Sequence, residues 1–261
     1  MNSDAGSGDP DTVLVENFVR DGFVAIRGAV PSTIVEECRQ EIDDGLRARG
    51  ADPEDPSTWT SPVVRLACPW TDAFARAGTQ PVLWSVYDQL LGPGRWRRLR
   101  GVGGSIPVRF PHPDDPGDAG WHFDGSFDVG GELRVNYSSR GRGLLCLFLF
   151  TDVTDDDAPS EIKVGSHMDI PRLLVPFGET GTSFQTIQFP ESTLDRPSAW
   201  ATGSAGDVFV CHPFLVHSAT WPHRGTSPRA IAQPGVSMLE DFDMDEPPRC
   251  PVHQAIKSAL V

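Results

Sequence analysis

Apolar positions recur at helical spacing in the first third of the chain and at strand spacing after it. The segment VLVENFVRDGFVAIRGAVP, from Val13, predicts a short helix broken at Gly22, then a strand over 23–26 that turns at Arg27-Gly28. Beyond Pro31, Ile34, Val35, Cys38, Ile42 and Leu46 line one face of a helix, with Ser32 expected as its N-cap and Gly50 as its stop. Residues 51–62 read as a loop, and a further helical region covers 72–91, closed by Gly92-Pro93-Gly94.

From Arg95 onward short apolar runs alternate with Gly, Pro and Asp clusters. They predict strands at 96–99, 105–110, 120–124, 144–150, 183–189, 207–210, 214–217 and 230–236. Hardly a helix-length run separates them, so the expected class is mainly β with flanking helices, an antiparallel sandwich or barrel. Residues 1–11, rich in Asp, Gly, Ser and Pro, are expected to be disordered, leaving 12–261 as one domain. Polar loops at 111–119, 154–160 and 190–205 are placed to control access to a site.

Composition narrows the partners. With 261 residues and 39% hydrophobic content the chain can bury a large core, and its formal net charge of −14 weighs against a nucleic-acid partner, which is bound through Lys and Arg. No run reaches the roughly 18 apolar residues of a membrane span, and the N-terminus lacks a signal-like pattern, so no membrane partner and a cytoplasmic location are expected. The five cysteines, Cys38, Cys68, Cys146, Cys211 and Cys250, never form a C-x-x-C pair and are expected to be reduced and buried. The oligomeric state is not readable.

Two segments carry candidate chemistry. In GWHFDGSFD, His122 and Asp124 are two apart on an expected strand, which points both side chains to one face. In GDVFVCHPFLVHSA, His217 supplies a second imidazole; His212, five residues earlier, is the competitor. Two His and one carboxylate on one side of an octahedral iron form a facial triad with open positions for a co-substrate and oxygen. Arg229, twelve residues beyond His217, offers a rigid, permanently charged fork for the far carboxylate of a keto diacid, with Arg224 as its rival. His112, His223 and His253 read as surface residues and His167 as a turn-capping imidazole.

These motifs resemble the phytanoyl-CoA dioxygenase family of Fe(II)- and 2-oxoglutarate-dependent oxygenases. The resemblance runs from FVRDGFVAIRGAVP through WHFDGSF and EIKVGSHMDI to GDVFVCHPFLVHSAT and PRAIAQPG; Val164 stands where the family's PGSH element usually has proline. It implies a double-stranded β-helix, or cupin-like jelly roll, in which His122, Asp124 and His217 bind Fe(II) and Arg229 binds 2-oxoglutarate. It also implies that molecular oxygen is consumed, that succinate and CO2 are released, and that a small-molecule metabolite, such as an intermediate of secondary metabolism, is hydroxylated. Desaturation, epoxidation or ring closure can follow the same hydrogen abstraction. The alternative is a cupin-like metal-dependent dioxygenase or isomerase that does not use 2-oxoglutarate, and fold alone does not separate the two.

Overall fold

The computed structural model describes residues 10–261. Its helices are α1 (Pro10–Asp21), α2 (Ser32–Arg47), α3 (Asp72–Gly78), α4 (Pro81–Leu91), α5 (Ile170–Leu174), α6 (Glu191–Leu194) and α7 (Pro251–Leu260). Its strands are β1 (Phe23–Ile26), β2 (Val63–Ala67), β3 (Ser105–Arg109), β4 (Phe127–Val129), β5 (Glu132–Val135), β6 (Arg142–Leu149) and β7 (Glu161–Lys163). They continue with β8 (Thr182–Ser183), β9 (Ser198–Trp200), β10 (Val208–Cys211), β11 (His217–Ser218), β12 (Arg229–Ala232) and β13 (Gly235–Ser237).

The main sheet runs β1-β10-β6-β12-β3-β2, with β13 also on β6; β11-β7-β9 and β4-β5-β8 form two small sheets. Every pairing is antiparallel and the sheets do not close on one another. The central strand β6 is apolar on both faces because both are covered. Leu145, Leu147 and Leu149 pack with Ile162, Phe209, Leu215 and Ile231 toward the small sheet. Leu144, Cys146 and Phe148 join the larger cluster that the helices cover, with Phe18, Tyr87, Leu90 and Ile256. The layer between the sheets is therefore a separate, smaller core.

Helix α2 buries Ile34, Val35, Cys38, Ile42 and Leu46, the five positions its spacing selects. Its cap differs: Pro31 is the N-cap and Ser32 the first helical residue, with no side-chain capping bond. Region 72–91 divides into α3 and α4 because Pro81 holds Gln80 extended, at φ −61° and ψ 132°. Of the expected disordered segment 1–11, residues 1–9 lie outside the described residues, while Pro10 and Asp11 already belong to α1.

Several expected strands shrink. Segment 96–99 makes one bridge, Trp96 to Met238; segment 120–124 makes one, His122 to His217. Residues 183–189 contribute only Ser183 before a 3-10 turn at Phe184–Thr186, and 214–217 only His217, since Pro213 and Phe214 form a turn. Run 230–236 breaks at Gln233-Pro234 into β12 and β13, both on β6. The composition-poor stretches also hid elements: β2, the β4–β5 hairpin turning through Gly130 (φ 63°) and Gly131 (φ 90°), and α7. All five cysteines are free and buried. No helix among the described residues is long and apolar enough to cross a membrane.

Candidate active site

The site is built on a two-residue bridge. The backbone N–H of His122 donates to the His217 carbonyl at 3.0 Å, and that of His217 to the His122 carbonyl at 2.9 Å. β11 continues this pairing on its other side, where His217 faces Ile162 of β7. Between the two expected ligands of segment 120–124, Phe123 is fully buried and meets the rings of Phe184, Phe189 and Phe214 edge-on, anchoring the segment from the opposite face.

The imidazoles are oriented by the backbone. His122 Nδ1 lies 2.8 Å from the Gly120 carbonyl and His217 Nδ1 3.0 Å from that of Leu215. A carbonyl only accepts, so each Nδ1 carries the proton and each Nε2 presents a lone pair, as outer-shell bonds do for metal-ligating histidines. The rings lie 4.3 Å apart, and His217 Nε2 is 3.5 Å from Asp124 Oδ2. One ligand atom each from His122, Asp124 and His217 lies within 4.8 Å of the others. Among the described residues this is the one such group of three or more.

His217 Nε2 is buried without a hydrogen-bond partner, a costly state that a cation relieves. Burial, and then His122, hold the His217 imidazole below its ordinary pKa, the neutral form that coordinates a metal. The residues therefore fit a divalent ion with oxygen and nitrogen ligands.

Arg229 opens β12, where it pairs with Arg109 of β3. Opposed residues of an antiparallel pair share a face, and Arg229 shares its face with Ile231 of the intersheet layer. Both arginines are 2% exposed. Arg229 Nη1 donates to the Ala158 carbonyl at 2.7 Å, and burial, then Arg109, lower its guanidinium to about 9, still cationic at neutral pH. Arg224 is exposed on its loop and is not brought to this layer. His212 is buried beside His167, ring centroids 4.9 Å apart, and is not part of the three-residue group. His223 and His253, expected at the surface, are buried instead. Sequence reasoning missed Arg109; the available signal was a charged residue inside the apolar run SIPVRF. A cavity of about 790 Å3 lies elsewhere, against Ile42 and Leu46 of α2 and the opposite face of the sheet at Val108 and Ala230.

Solved structures share this architecture. The epimerase SnoN of nogalamycin biosynthesis, in complex with Fe3+, α-ketoglutarate and nogalamycin RO, aligns with a TM-score of 0.61 at 20% identity, covering 88% of this chain and 84% of its own. The α-ketoglutarate-dependent carbocyclase SnoK of the same biosynthesis gives 0.60 at 18%, over 89% and 87%. HygX from Streptomyces hygroscopicus, with nickel, 2-oxoglutarate and hygromycin B bound, gives 0.55 at 19%, over 87% of each chain. These likenesses carry the jelly-roll fold. No curated protein sequence matches the chain significantly. Residues 18–231 match phytanoyl-CoA dioxygenase (PhyH), and the chain belongs to that family.

Proposed function

We propose that the protein is an Fe(II)- and 2-oxoglutarate-dependent oxygenase acting on a small molecule. The observation that carries this reading is the buried, unpartnered Nε2 of His217, facing Asp124 and His122 while both Nδ1 atoms are fixed by backbone carbonyls. His122, Asp124 and His217 would hold the metal. When bound, iron with 2-oxoglutarate and oxygen supplies oxidative decarboxylation to succinate and CO2, coupled to attack on an unactivated C–H bond. Arg229 would orient the co-substrate through its far carboxylate, and the apolar layer of Leu145, Leu147, Leu149 and Ile231, on the strand face that Arg229 shares, would limit water there.

Hydroxylation is the outcome we assign first. Epimerisation or ring closure is the second, supported by the folds of SnoN and SnoK, an epimerase and a carbocyclase. A metal-dependent enzyme that does not use 2-oxoglutarate leaves the buried Arg229, bonded to the Ala158 carbonyl, with a structural role alone. A cytoplasmic setting fits five free, buried thiols.

The test is succinate formation from 2-oxoglutarate with Fe(II) and oxygen across a panel of small metabolites, followed by product mass under labelled oxygen. Substrate-stimulated succinate supports the class. A product gaining one labelled oxygen indicates hydroxylation; an isomer, or a product two hydrogens lighter, indicates the second outcome. Turnover of a metabolite without consumption of 2-oxoglutarate contradicts the proposal.

A further inference from the structure

We propose that Arg109 is a second anchor for the far carboxylate of the co-substrate, acting beside Arg229, and that the pair selects dicarboxylic over monocarboxylic 2-oxo acids. This rests on the 2-oxoglutarate reading of the site. The Arg109 and Arg229 Cα atoms are register partners, so both guanidiniums leave their strands toward the same layer. Three of their nitrogens, Arg109 Nε and Nη1 and Arg229 Nε, are buried with no hydrogen-bond partner.

Charge is unbalanced in the same direction. Asp118 accepts from Arg109 Nη2 at 2.8 and 3.0 Å but is shared with Arg65 Nη2 at 2.7 Å. Asp157, the other acid whose field reaches Arg229, already accepts from the Thr154 backbone N–H and hydroxyl. Among the described residues, two buried cations thus have near them only carboxylates that are already engaged, Asp118 by Arg65 and Asp157 by Thr154, in a chain of net charge −14. Like charges buried side by side are unfavourable unless an anion joins them, and a carboxylate accepting from two guanidiniums does so while using the idle donors. His223, buried with Nε2 unpartnered and within the field of both arginines, adds a polar group to the same cluster.

The competing role is structural: through Asp118, Arg109 ties loop 111–119 to the sheet just before the ligand segment. Anaerobic calorimetry on the Fe(II)-loaded full chain separates the two. The titrants are 2-oxoglutarate and 2-oxopentanoate, the same skeleton without the far carboxylate. Arg109→Gln is expected to weaken 2-oxoglutarate roughly 10-fold or more, leaving 2-oxopentanoate and iron binding unchanged. Asp118→Asn, which frees Arg109, is expected to retain 2-oxoglutarate affinity. Arg109→Lys keeps a cation and the fold while losing the fork, and is expected to fall between Arg109→Gln and the unmutated protein.

Unchanged 2-oxoglutarate affinity in Arg109→Gln and Arg109→Lys overturns the proposal while leaving the Arg229 assignment intact. Equal losses for both oxo acids, shared by Asp118→Asn, assign Arg109 the structural role and also overturn it. Failure of the unmutated protein to bind 2-oxoglutarate overturns the functional reading and this one with it, whereas an effect of Arg229→Gln alone overturns only this one.

Discussion

His122 and His217 exchange both of their backbone hydrogen bonds, at 3.0 and 2.9 Å, although one lies outside any strand and the other in a two-residue strand. A hydrogen-bonded antiparallel pair sets its Cα atoms about 5.5 Å apart with side chains on one face. The two imidazoles are thereby fixed relative to each other before any metal arrives. If they are ligands, a divalent ion should stabilise the fold by mass action, by about 2.7 kcal/mol at a hundredfold excess over Kd. Thermal unfolding with and without Mn(II) should show that gain in the unmutated protein and its loss in His217→Ala; an equal gain in both contradicts the assignment.

Phe123 holds the ligand segment from behind, fully buried among Phe184, Phe189 and Phe214. Phe123→Ala should cost about 3–5 kcal/mol, the usual range for emptying an aromatic site. It should also weaken metal binding beyond what Leu83→Ala does, since Leu83 is buried in α4 away from the ligands. Denaturant unfolding and metal titration of both variants check this. Equal metal affinities show that the bridge alone positions the ligands.

Gly22 ends α1 at φ +85°, and a Cβ there would lie 2.5 Å from His167 Nδ1. Gly22→Ala combines left-handed strain with a clash into a buried ring, and should lower stability by about 2–4 kcal/mol. A change below about 1 kcal/mol in urea unfolding shows that the ring has room to move.

Burial, reinforced by Arg196, lowers the pKa of His167 from 6.5 to about 4. Burial, then His167, lowers that of His212 as well. Both pKa values lie below those of the unfolded chain, which therefore takes up more protons as the pH drops. The stabilisation is complete above pH 6.5 and is lost as the pH falls from 6.5 toward 4. For His167 alone the loss should reach about 2 kcal/mol by pH 5. Unfolding midpoints from pH 7.5 to pH 5 should fall steeply, and less so in His167→Gln. Parallel curves contradict this account of the pair.

The legible parts of the fold were those with strong local periodicity or punctuation: the α2 face, the Gly22 break, and the apolar run of β6, buried on both sides. The approach of His122 and Asp124 to His217 was legible too, although it comes about through a different geometry. His122 and Asp124 share a face because an extended segment is clamped by Phe123 and one bridge, and no regular strand is needed. The hidden parts depend on partners distant in sequence. β2 forms only against β3, α7 packs on α1, α4 and α5, and the pairing of Arg109 with Arg229 joins positions 120 residues apart. The burial of His223 and His253 was likewise invisible, since their polar and Pro-rich neighbours suggested solvent.

The most direct test of the central claim is anaerobic absorption spectroscopy of the purified protein with Fe(II) and 2-oxoglutarate. A keto acid chelating iron held by His122, Asp124 and His217 produces a weak visible charge-transfer band. The band should appear only with both additions, vanish in His217→Ala, and require a much higher 2-oxoglutarate concentration in Arg229→Ala. Folded, unmutated protein that binds Fe(II) yet shows no band at saturating 2-oxoglutarate, or a band that persists in His217→Ala, contradicts the account.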